Sequence, residues 1–73
     1  MQIETHIKNE AKDLFNKIYE PLERMYHGLD DAKMRKYAKI TVIEVVAHFL
    51  AKMPEGSANW LHHRKLIEAI NNL

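Results

Sequence analysis

Residues 40–46, Ile40-Thr41-Val42-Ile43-Glu44-Val45-Val46, decide the fold of this chain. Five of the seven are Val or Ile and one is Thr, and such β-branched residues favour strands. Their flanks favour a helix. Asp31 to Lys39 and Ala47 to Met53 are rich in helix formers, and no turn residue separates them from the run. A strand here would also have no partner to pair with. The stretch therefore predicts the middle of a helix running from about Asp31 to about Met53. Asp30 is its N-cap, and Leu29 with Met34 has the spacing of a hydrophobic staple. Downstream, Pro54-Glu55-Gly56-Ser57 reads as a turn. Ser57 then caps a third helix over roughly Ala58–Asn71. Upstream, Ile3, Ile7, Ala11, Leu14, Phe15, Ile18, Leu22, Met25 and Tyr26 recur in steps of three and four, so they trace one helical face. Thr5 can cap that helix. Pro21 removes a helical hydrogen bond, but the apolar phase continues through it, which predicts one kinked helix. Gly28, after His27, suits a helix C′ position. The fold expected is all-α: a single domain over residues 1–73, with a kinked first helix, a long central second helix and a short third.

Composition sets limits on function. The chain has 73 residues, 11 Lys plus Arg and 10 Asp plus Glu, for a net charge of +1. That balance argues against a basic nucleic-acid tail or an acidic disordered one. The apolar fraction is 47%, with two Gly and two Pro, which fits a folded domain. There is no Cys, so disulfide scaffolds, zinc ribbons and thiol catalysis are excluded. No apolar run approaches membrane-spanning length. The segment Met1 to Glu10 is polar and carries Glu4, unlike a signal peptide. The location expected is cytoplasmic.

A domain this small buries only about 60% of its unfolded surface and commonly needs a staple. With no disulfide and no evident metal motif, oligomerisation is the staple left. The second helix supports it. From Ile40 to Leu50 it is apolar nearly all round, and its exceptions, Thr41, Glu44 and His48, form one stripe that Tyr37 and Lys52 extend. A helix apolar on most faces needs many neighbours. It is expected to be central and to face a second chain, in a dimer or a higher symmetric oligomer.

The stripe Tyr37, Thr41, Glu44, His48 is also the first candidate site. Glu and His four apart can share a hydrogen bond, contact a ligand or fix the register of an oligomer. If buried, Glu44 would have the raised pKa of a catalytic acid. Three of the five histidines form Glu/His pairs at that spacing, His6/Glu10, Glu23/His27 and Glu44/His48, and each pair offers only two ligands. Neither Glu-x-x-His pairs nor His-Glu-x-x-His occurs, and the adjacent His62 and His63 diverge by about 100° on a helix. No metal site is expected.

Lys33, Arg35, Lys36 and Lys39 interleave Tyr37, and His62-His63-Arg64-Lys65 follows Trp60. Cations beside aromatics suit phosphates and bases, but they also make ordinary solvated faces. The isoelectric point near 8.1 is low for a dedicated nucleic-acid domain. Trp60 is expected to anchor the third helix on the core; if exposed, it and Arg64 would serve as a contact point. Met25, Met34 and Met53 read as gap-filling core residues. Ser57 reads as a cap, not a nucleophile, and there is no Gly-rich phosphate loop. No catalysis and no cofactor are expected.

In general appearance the chain is similar to small helical proteins of phages and mobile elements, some of which are non-catalytic inhibitors. The hairpin from Leu22 to Leu50, with its loop at Gly28–Asp31 and its apolar second helix, resembles phage anti-CBASS proteins, which sequester cyclic nucleotides as hexamers. It departs from them at His48-Phe49, where a tryptophan belongs. Three functions are compatible with these features. The first is a non-catalytic oligomer that works by protein–protein interaction, as an inhibitor or adaptor. The second is an oligomeric sponge for an anionic nucleotide, implied by the resemblance, using Lys33, Arg35, Lys36, Tyr37 and Lys39. The third is a nucleic-acid-binding regulator.

Overall fold

The computed structural model describes residues 4–26, 28 and 30–73. Three helices make up the fold: α1 (Thr5–Met25), α2 (Asp31–Leu50) and α3 (Ala58–Asn71). Residues 40–46 lie inside α2, and no strand occurs among the described residues. None of the helices there is long and apolar enough to cross a membrane. The roles assigned to Ile3, to His27 and to the Leu29–Met34 staple fall outside the described residues.

The ends of the helices follow from local chemistry. The Asp30 side chain accepts the Ala32 N–H at 2.9 Å, and the Ser57 hydroxyl accepts the Trp60 N–H at 3.2 Å, as N-caps do. Thr5 is not a cap. The helix already includes it, Glu4 is the capping residue, and only the Glu4 carbonyl receives the first N–H groups, from Ile7 and Lys8. Pro21 is accommodated within α1, four residues before its end, and costs a hydrogen bond only near the final turn. Gly28 has φ +91° but stands two positions past the Tyr26 cap, one later than a C′ glycine. α2 stops at Leu50, short of Met53. Pro54 disfavours helical geometry at Met53, and the chain leaves through tight turns, Lys52 N–H to the Phe49 carbonyl and Met53 N–H to the Leu50 carbonyl. Gly56, φ +84°, completes the reversal.

The helices pack as a slab of 43 × 25 × 14 Å in which each touches both others. α2 is therefore not central, and at 20 residues it is one shorter than α1. The larger core cluster joins Ile7 and Ala11 of α1, Val42 and Val46 of α2, and Leu66, Ala69 and Ile70 of α3. A smaller one joins Phe15, Tyr19 and Ala38, with Met34 and Leu22 packed against it. Ala11 and Ala38 are fully buried, and their small side chains let the helices approach closely. Met34 fills a gap as expected. Met25 does not: at the last position of α1 it is 71% exposed and belongs to neither core cluster.

Candidate functional site

The predicted site residues separate onto three surfaces, for a geometric reason. Successive residues turn 100° around a helix, so Lys33 and Arg35 point about 200° apart. Arg35, Lys36 and Lys39 turn toward α1. There they line an open groove of about 570 Å³ together with Lys12, Asn16, Phe15, Ala32 and Leu73. Lys33 and Tyr37 instead border a smaller hollow with Leu22, Tyr26, Asp30 and Met34. The basic cluster read from residues 33–39 is thus not one site.

Arg35 is held in place from two sides. Its Nε–H donates to Asp31 Oδ2 at 2.8 Å, and its guanidinium sits 4.8 Å from the centre of the Tyr19 ring. The Tyr19 hydroxyl donates to the other oxygen of Asp31. This triad ties the middle of α1 to the first turn of α2, where a carboxylate also suits the helix dipole. The hydrogen bond from Tyr19, with the one from Arg35 adding to it, holds the Asp31 carboxyl below the usual carboxylate range. The same bond to Asp31 raises the Tyr19 phenol, and Asp31 raises Arg35 further.

These shifts fix a pH dependence. A carboxyl whose folded pKa is depressed stabilises the fold fully above its unfolded pKa of about 4 and loses that contribution as pH falls through the folded value. A phenol whose folded pKa is raised stabilises the fold below about 10 and loses the contribution as pH climbs above that. The melting temperature should therefore fall below about pH 4 less steeply in Asp31→Asn than in the parent chain. Above about pH 10 it should fall less steeply in Tyr19→Phe. Parallel curves for variant and parent, followed by circular dichroism, would contradict the triad.

The stripe on α2 faces solvent. Glu44 and His48 are exposed, so Glu44 lacks the burial a catalytic acid of that kind requires. The Thr41 hydroxyl donates to the Tyr37 carbonyl at 2.9 Å, a bond within its own helix. Interleaved with these polar groups are Tyr37, Ile40, Val45 and Phe49, which are 64%, 48%, 51% and 53% exposed. The outer half of α2 is accordingly an apolar face with a polar seam, and the His48 and Phe49 rings meet edge to face.

On α3, Trp60 is half-buried and belongs to neither core cluster. It occupies the first turn, and its ring is covered by Arg64 of the next turn at 5.1 Å, so it is not the core anchor expected. The histidines pair differently from the i,i+4 pattern. His6 meets Glu4 at 3.2 Å, and Glu10 reaches across to His62 at 2.9 Å, with the His6 and His62 rings stacked 6.5 Å apart. His63 turns back to the Asn59 carbonyl. Among the described residues no three His, Asp or Glu side chains converge on one point where a metal could sit.

Lys12, Asn16 and Tyr19 were not singled out from the sequence. Lys8, Lys12 and Asn16 follow one another at intervals of four beside the apolar stripe of α1, and that edge was the available signal. Nothing in the sequence joins Tyr19 to Asp31. No protein-family model, curated protein or solved structure matches the chain.

Proposed function

We propose that this chain is a non-catalytic helical oligomer that works by protein–protein contact, and that the outer face of α2 first takes a second copy of itself. The observation that carries this is the set of four half-exposed apolar side chains, Tyr37, Ile40, Val45 and Phe49, on one 20-residue helix. A monomer leaves them in water; a helix–helix contact removes them from it.

Charge complementarity favours a second copy as the occupant. Glu44 and His48 lie one turn apart on this face, so an antiparallel two-fold axis passing between them sets Glu44 of each copy against His48 of the other. A carboxylate can accept from a neutral or a protonated imidazole, so the seam is satisfied on both sides. A polar pair inside an apolar contact also fixes its register. The closed two-fold arrangement uses the same patch on both copies. The test is NMR on a mixture of isotope-labelled and unlabelled chain. Intermolecular contacts from the Ile40 and Val45 methyl groups to residues of α2 are expected. Their absence at a concentration where the chain is dimeric would place the contact elsewhere.

A further inference from the structure

The groove between α1 and α2 lies on different residues from the dimer face, and its chemistry is of another kind. Four cations line it, Lys12 from α1 and Arg35, Lys36 and Lys39 from α2, and no Asp or Glu side chain does. A second hollow shares Lys12 and Leu73 with it and brings in Lys8, again with no Asp or Glu side chain in the lining. Five of the 11 basic side chains of a chain with net charge +1 are thereby gathered along one channel. The nearest acidic group of the triad, Asp31, is already occupied by Tyr19 and Arg35. Only the Nε of Arg35 is used in that pair, so its two terminal nitrogens remain as donors, aimed by the Tyr19 ring beneath the guanidinium. Lys39 is steadied by the Asn71 carbonyl at 3.4 Å. Lys12 and Lys36 have no ion-pair partner among the described residues.

The apolar part of the lining is the buried Phe15 with the exposed Ala32 and Leu73. A volume of about 570 Å³ falls within the range of small-molecule sites. Apolar surface and four cations in one groove match a ligand with a flat or apolar body and at least two negative charges, and an arginine fork with lysines beside it suits phosphate oxygens. We propose that this groove binds an organic phosphate, a small molecule carrying a phosphate or pyrophosphate on a planar body.

The test is calorimetric titration at low salt with three probes: adenosine diphosphate, inorganic pyrophosphate and a 12-nucleotide oligo-dT. Adenosine diphosphate should saturate one site per chain, and pyrophosphate should bind at least several-fold more weakly because it leaves the apolar lining uncovered. In Lys12→Glu/Lys36→Glu, affinity for adenosine diphosphate should fall more than tenfold. Arg24→Glu/Lys52→Glu makes the same change in net charge away from the groove and should stay within twofold of the parent. All four positions are exposed, so the helix content of both variants, read by circular dichroism, should be unchanged. Equal losses in the two double variants would reduce the effect to net charge and overturn the proposal. So would the absence of saturable adenosine diphosphate binding. Pyrophosphate binding as tightly as adenosine diphosphate would overturn the role of the apolar lining and with it the planar body of the proposed ligand. An oligonucleotide binding more tightly than either, with amide shifts beyond the groove, would overturn it in favour of nucleic acid. None of these outcomes depends on the dimer face, so the two proposals fail separately.

Discussion

Ile70→Ala is expected to leave the chain largely unfolded at 37 °C. Ile70 has no exposed surface and lies in the larger core cluster, where α3 meets both other helices. Truncating a fully buried isoleucine costs about 2–5 kcal/mol, through lost transfer free energy and the cavity left behind. A single core in a domain of this size rarely supplies more than about 3–5 kcal/mol in total. The upper part of the first range therefore consumes the whole of the second. Ile7→Ala, at the α1 side of the same cluster, should behave alike. Met25→Ala is the contrast: the side chain is 71% exposed, and the change should stay within about 0.5 kcal/mol. Urea unfolding followed by circular dichroism, at one fixed chain concentration, reads all three. A midpoint for Ile70→Ala close to that of Met25→Ala would mean that α3 contributes little to the core.

The second large effect concerns association. Val45→Lys/Phe49→Lys should convert a dimer into monomers without reducing helix content. Both side chains are about half exposed within the chain, so lysine there should disturb the monomer by no more than about 0.5 kcal/mol for each change. In the proposed dimer the same positions would meet a second copy across the two-fold, which would bring four new ammonium groups together in a desolvated contact. A weakening of at least a hundredfold is expected, equivalent to about 2.8 kcal/mol. Sedimentation over a range of concentrations measures it. An unchanged dissociation constant would remove Val45 and Phe49 from the interface.

Local signals were the legible part of this fold. Asp30 and Ser57 cap the helices that sequence spacing assigned to them, because an N-cap needs only a side-chain oxygen and an N–H two or three residues on. The third helix has the bounds expected, with Pro54 and Gly56 setting where it can begin. The apolar steps of α1 from Ile7 to Leu22 face the core for the same reason of periodicity. What the sequence hid is three-dimensional. Trp60 looks like an anchor by its type alone, yet its place in the first turn puts it beside Arg64. Residues 33–39 look like one basic cluster until the helix turns Lys33 and Tyr37 away from Arg35, Lys36 and Lys39. The fourth cation of the groove is Lys12, more than 20 positions before Arg35 in the chain. Periodicity also marked the middle of α2 as apolar all round, and the structure divides that circumference. Val42 and Val46 are buried, and Ile40, Val45 and Phe49 stand in solvent.

That division is the basis of the account, and solution mass tests it most directly. Light scattering on the full chain, at concentrations from micromolar to millimolar, should give twice the 8.6 kDa of a single chain and a fall toward 8.6 kDa on dilution. A mass of 8.6 kDa across the whole range would show that the outer face of α2 stays in water, and would contradict the proposal that a second copy covers it.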